Sequence, residues 1–295
     1  MTAVQARVNG QLAVELGDGL EAAVYSFGSG LLLLAVIVAL VPSVRRGVGR
    51  VPQAVRSGDL KWWQTLGGVL GGFFVGVQTA TVPLIGVAIF TVAVVAGQSV
   101  SSLFVDRFGL GPAGVQHFTG PRIASGVIAV IAVAIAVSSR VSEVDFSPLS
   151  VVMAFVAGLM IAVQQAINGR TSRVAGSPMS AAFFNFLLGT GALLAGFLVR
   201  WALTGTGVTP LPTGPWWIYF GGAIGVVFIA IAAWAVPLVG VLLFALVTIA
   251  GQLSGALLLD VVAPTAGTRV GVNLVLGVLL AFVAIAVAVR GQRRV

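Results

Sequence analysis

Nine stretches of about 20 residues, nearly free of charge, recur along this chain, and no other feature restricts its fold so severely. They run approximately over 21–41, 62–82, 84–105, 120–139, 149–169, 179–200, 216–236, 238–259 and 270–289. Twenty helical residues rise about 30 Å, the thickness of a bilayer's hydrocarbon core. Inside that core an unpaired backbone polar group costs several kcal/mol, so only helices and closed barrels cross it. Barrel strands need about 10 residues, half of what recurs here, so helices are expected. Composition agrees. Charged residues make up 8% of the 295 positions and apolar ones 58%, whereas a soluble domain carries about 25% charge. A chain so poor in charge could not clothe a water-facing globule, which excludes a soluble enzyme, and one so apolar would not stay disordered.

Prolines punctuate the runs. Pro42, Pro83, Pro148, Pro178, Pro215 and Pro237 all stand at or beside a predicted helix end, where a missing N–H costs least. The connections around Pro83–Gly86 and Pro237–Gly240 are so short that the flanking runs are predicted helical hairpins. Orientation follows from the connectors. Segment 42–61 holds Arg45, Arg46, Arg50, Arg56 and Lys61 against Asp59 alone. With that segment in the cytoplasm, Arg107, Arg122, Arg170, Arg173, Arg290, Arg293 and Arg294 fall there too, while Arg7, Arg140, Arg200 and Arg269 lie outside. Retention of basic residues on the inner side is the usual rule for membrane proteins. The C-terminus is then cytoplasmic as well. The net charge of +8 therefore belongs to membrane topology, and no nucleic-acid partner is expected. There is no cysteine, no metal-ligand set and no cofactor motif, and the single histidine, His117, sits in a Gly- and Pro-rich loop.

The chain repeats itself. Trp62-Trp63 recurs as Trp216-Trp217, and the offset of 154 then holds without a gap for 45 positions, of which 17 are identical. Gly67, Gly68 and Gly71 match Gly221, Gly222 and Gly225. Val82-Pro83-Leu84 matches Val236-Pro237-Leu238. Ala96-Gly97-Gln98 matches Ala250-Gly251-Gln252, and Asp106 matches Asp260. Upstream the offset becomes 159, pairing Val4-Gln5 and Asn9-Gly10 with Val163-Gln164 and Asn168-Gly169. The unit is thus five helices. The first copy holds only the last turns of its first helix, so that helix is expected to be truncated, with about ten to fifteen further apolar residues upstream. Because five is odd, the second copy enters the membrane from the opposite side. The expected fold is an all-α integral membrane protein of two inverted five-helix repeats, 1–139 and 149–295, joined by an outer linker at 140–148. Inverted repeats of this kind are a transporter architecture with substrate held near the midplane.

Amides are the polar groups the runs contain. Gln98 and Gln252 fall roughly 5 Å from the midplane on opposite sides, and so would bracket a central cavity. Gln5 and Gln164 form a second matched pair, with Gln165 beside one of them, and Ser26 and Asn185 a third. Gln78 has no polar counterpart, and Trp234 is expected to face the same region as a stacking surface. The candidate substrate-binding residues are therefore Gln5, Gln78, Gln98, Gln164, Asn185, Trp234 and Gln252. The alternative is that these amides only knit helices together, worth about 1 kcal/mol each. Asp106 and Asp260 lie at helix ends and are expected to cap or to pair with Arg107 or Arg269. No Asp, Glu, Lys or His occupies the centre of a run, which disfavours a buried proton relay.

Two halves, each with a Trp-Trp start, a Gly-Gly-x-x-Gly run, Val-Pro-Leu then Gly, and Ala-Gly-Gln ending in Asp, resemble the fused form of the YdcZ-like inner-membrane exporters. Those belong to the drug/metabolite transporter superfamily. The resemblance covers nearly the whole chain. It implies ten helices around a central cavity in the bacterial cytoplasmic membrane, and export of a small molecule by a monomer or homodimer. The small multidrug-resistance relatives use a membrane glutamate in their first helix; the corresponding stretches here carry Gln5 and Gln164. A small organic solute and the lipid bilayer are the expected partners. A lipid-handling or structural membrane protein is the alternative, and a membrane enzyme lacks visible catalytic residues.

Overall fold

Every regular element among the described residues is helical, as a lipid solvent demands. The computed structural model describes residues 1–112, 114–138, 148–205, 207–262 and 271–292. Over them run α1 (Thr2–Leu16), α2 (Gly19–Leu40), α3 (Pro42–Ser57), α4 (Gly67–Arg107), α5 (Gly120–Val137), α6 (Pro148–Ala175), α7 (Pro178–Thr204), α8 (Gly221–Val239), α9 (Val241–Val262) and α10 (Val272–Gln292). The two Trp-Trp pairs each open a short 3₁₀ turn, at Trp62–Thr65 and Trp216–Phe220. The linker 140–148, except its last residue, and Arg140, Arg269, Arg293 and Arg294 lie outside the described residues, as does the side chain of Asp260.

The same punctuation ends the first helix of each half. α1 stops at Gly17 (φ 67°) and α6 is followed by Gly176 (φ 63°), a left-handed conformation that only glycine adopts without strain. The next residue then caps the following helix. Asp18 accepts the Glu21 N–H at 2.9 Å to start α2, and Ser177 accepts the Ser180 N–H at 3.3 Å to start α7. Gly17-Asp18 and Gly176-Ser177 stand at the 159-residue offset.

α4 is an unbroken run of 41 helical residues, yet it is not straight. The rings of Phe74 and Phe90 lie 5.8 Å apart, where 16 residues of straight helix would separate them by about 24 Å. The chain turns back near Pro83, as the predicted hairpin requires. Phe228 and Phe244, 154 residues further on, close the same kind of corner at 6.2 Å around Pro237 and Gly240. Asn9 donates to Gln78 and Gly10 lies against Val82, so α1 and the first half of α4 rise together. Gly67 meets Asn168 and Gly71 meets Gln164, so α6 descends beside them.

Five helical segments among the described residues are long and apolar enough to cross a membrane: Gly19–Leu40, Gly67–Ile85, Pro148–Ala175, Pro178–Thr204 and Trp216–Val239. Shorter apolar stretches fall at Gly120–Ala132, Val241–Gln252 and Val275–Arg290. Their outward faces present Leu32, Val36, Leu198, Ile231 and Phe282, as lipid contact requires. Segment 42–61, expected as a charged connector, is mostly the helix α3. Val44, Gly47, Val51 and Ala54 are buried at helical spacing, while Arg45, Arg46, Arg50 and Arg56 stay exposed. A helix with one narrow apolar face and one basic face lies along a membrane surface. Ser180 Oγ donates to the Val44 carbonyl at 2.9 Å and fastens α3 to α7. Among the described residues of the connector after α7, there is no such helix. That connector is held through Glu21, a buried carboxylate whose Oε1 accepts the Thr209 N–H at 2.8 Å.

Candidate functional site

Helix backbones meet in this protein wherever glycine lets them. At Gly68 an added Cβ would lie 2.9 Å from the Asn185 carbonyl carbon, and at Gly222 one would lie 2.6 Å from Gly30 N. These two glycines stand at the 154-residue offset and bring α4 onto α7 and α8 onto α2. Between the two crossings Phe27 stacks on Phe186 at 4.8 Å with an interplanar angle of 30°. Those two rings are themselves equivalent, at the 159-residue offset. Residues equivalent under the sequence repeat thus touch each other.

Against that stack lies a partly open cavity, with both rings in its wall. Its walls reproduce the sequence repeat. Gln5 and Gln164, Phe27 and Phe186, Gly71 and Gly225, Phe74 and Phe228, and Gln98 and Gln252 all line it as equivalent pairs. Thr2 and Ile161, Val75 and Ile229, and Val94 and Thr248 are further lining residues at equivalent positions. Gln165 alone among the walls has its equivalent, Ala6, elsewhere. Among the described residues, no Asp, Glu, Lys, Arg or His lines it.

Each amide is set by its neighbours. Gln5 Nε2 donates to the Gly221 carbonyl at 3.2 Å. Gln164 Nε2 donates to Asn185 Oδ1 at 2.9 Å, and Asn168 Nδ2 donates to the same oxygen at 3.0 Å. Gln98 Nε2 reaches Gln165 Oε1 at 3.4 Å. Buried Gln164 Oε1 and Gln165 Nε2 have no hydrogen-bond partner. The cavity is thus an uncharged, amide-studded chamber with aromatic walls, suited to holding a polar but neutral group.

Four of the seven candidate residues meet here: Gln5, Gln98, Gln164 and Gln252. The other three sit elsewhere. Asn185 stands behind Gln164 as its acceptor. Gln78 accepts from Asn9 Nδ2 at 3.1 Å and is spent on the contact between α1 and α4. Trp234 does not face the cavity: it is 61% exposed. At 100° per residue it lies across α8 from Gly225 and Ile229, which do line the chamber. The aromatic rings at the site are phenylalanines instead, and the 159-residue offset would have pointed to Phe27 and Phe186.

Asp106 is buried and pairs with Arg122 at 2.7 Å, not with Arg107, since α5 carries Arg122 directly against it. The same carboxylate accepts the Val241 and Leu242 N–H groups at 3.2 and 3.3 Å, capping α9 from the other half of the chain. Asp18 pairs with Arg200 at the opposite end. His117 is exposed in its loop.

A family model described as "Putative inner membrane exporter, YdcZ" matches residues 1–135 and 149–287. No curated protein matches the chain. Among solved structures, one described only as "Crystal structure of protein" is similar over 99% of this chain and 96% of its own. It has 19% identity and a TM-score of 0.61, a likeness of fold.

Proposed function

This chain belongs to the YdcZ family of inner-membrane exporters, a transporter family and not an enzyme family, and from that premise we propose that it moves a small organic solute by alternating access around the amide-lined cavity. One observation carries the reading: the walls of the chamber are built from residues equivalent under the sequence repeat. We read residues 1–139 and 149–295 as two inverted five-helix repeats. The opposed courses of α1 and α6, the two phenylalanine corners and the Phe27–Phe186 stack support that reading. Two inverted halves can rock about a site at their interface and open it to either side in turn. The basic face of α3 supports a cytoplasmic position for its end of the bundle, by the inner-side preference of Lys and Arg. The solute then leaves toward the face where Glu21 and Thr209 meet.

The absence of cysteine from the sequence makes the test direct. A single thiol at Ile161→Cys, on the cavity wall, is expected to react with membrane-impermeant maleimides applied from either face of oriented vesicles. Trp234→Cys, on the lipid side, is expected to react from neither. Labelling of Ile161→Cys from one face only would refute alternating access.

A further inference from the structure

The twofold match of the cavity walls is broken in an informative place. At the position where the first half has Ala6, the second has Gln165, so one side of the chamber carries an amide that its counterpart lacks. Gln165 and its neighbour Gln164 are each 1% exposed. Their mutual environment satisfies only half of their hydrogen-bonding groups. Gln165 Oε1 accepts from Gln98 while its Nε2 is unpartnered, and Gln164 Nε2 donates to Asn185 while its Oε1 is unpartnered. Adjacent residues of α6 therefore offer one unused donor and one unused acceptor in a chamber walled by phenylalanine. A buried polar group without a partner is a standing cost that a matching ligand removes. A ligand that pairs with both carries an acceptor and a donor of its own, as a carboxamide, a lactam or the edge of an N-heterocycle does. An ion is a poor match, because burial of a charge needs an opposite charge and, among the described residues, no ionisable side chain lines the walls.

We propose that the cavity selects uncharged, flat solutes bearing an amide-type donor–acceptor edge, with Gln164 and Gln165 reading that edge and the Phe27 and Phe186 rings contacting the apolar body. This rests on the transport reading for its purpose but not for its test. Benzamide, benzamidinium and benzoate share one shape and differ in charge. Binding of each to the purified full-length protein in detergent is measured by the thermal shift of its tryptophan fluorescence. Benzamide is expected to raise the unfolding temperature with a saturable dose dependence, and its isosteres to do so at least tenfold more weakly. Gln165→Ala, which copies the residue at position 6, is expected to weaken benzamide binding about tenfold and to leave the unliganded elution profile unchanged.

Equal or tighter binding of either ion, or no binding of benzamide, would overturn the proposal. The wild-type isostere comparison decides this even if Gln165→Ala misfolds. Benzamide that binds but is not carried into proteoliposomes would count against transport while leaving this assignment intact.

Discussion

Replacing Gly158 with alanine should damage this protein more than the loss of hydrogen for methyl suggests. The new Cβ would stand 2.8 Å from the Val94 carbonyl carbon and 2.9 Å from its Cα, and nearer still to the carbonyl oxygen. Carbon atoms pack at about 3.5–4.0 Å, so α6 and the second half of α4 must part by roughly 1 Å. A gap of that size forfeits a quarter to a half of the attraction in every atom pair across the crossing. In lipid those contacts are the main force between helices. The opposing term is the better helix propensity of alanine, at most about 1 kcal/mol. The net expectation is a loss of about 2 kcal/mol, in the range of overpacked cores. Gly191, within α7, has nothing within 4 Å of its added Cβ, so Gly191→Ala keeps the propensity gain without the clash and should be neutral or slightly stabilising. Unfolding in mixed micelles followed by tryptophan fluorescence gives both values. Equal midpoints for the two variants would refute the close-approach reasoning.

Asp106→Asn strips the charge from the buried partner of Arg122 and weakens the cap on α9, so a loss of about 3–5 kcal/mol is expected. Adding Arg122→Leu should recover part of it, and a double variant less stable than the single one would contradict the pairing. Glu21→Ala removes the acceptor of the Thr209 N–H, and proteolysis within 205–215 should accelerate. Glu21→Gln keeps an oxygen in place and should cleave more slowly than the alanine variant. Gln78→Leu leaves Asn9 Nδ2 without its acceptor and should cost about 1–3 kcal/mol in unfolding midpoint measurements. Trp234→Ala should leave benzamide binding unaltered, since the indole faces lipid; lost binding would place it at the cavity after all.

The repeat is the part of the site that was legible in the residues. Matching offsets single out Gln5, Gln98, Gln164 and Gln252 without any knowledge of packing, because an amide inside an apolar run has few uses and a matched pair has fewer. The offsets pair Phe27 with Phe186 as well, but chemistry does not single them out, since a ring against lipid and a ring against a cavity look alike in a run of valines and leucines. The same degeneracy hides the outward course of Trp234. Helix α3 escapes a search for 20-residue apolar runs because only one face of it is buried, although Val44, Gly47, Val51 and Ala54 keep a helical spacing. Arg122 as the partner of Asp106 is a matter of how α5 lies against α4, which no local pattern encodes.

The two ends of the bundle are fastened by different hardware. One connector is a basic helix moored through Ser180 to Val44, and the other is a strand of loop hung on the carboxylate of Glu21. In the proposed rocking of the two halves, a see-saw with unequal weights does not rest level, so the two postures would differ in free energy by whatever the moorings differ. A gap of only about 1.4 kcal/mol already sets a tenfold preference for one posture in the empty protein. Such a preference would make one side the usual place of loading, with no change to the residues that touch the cargo.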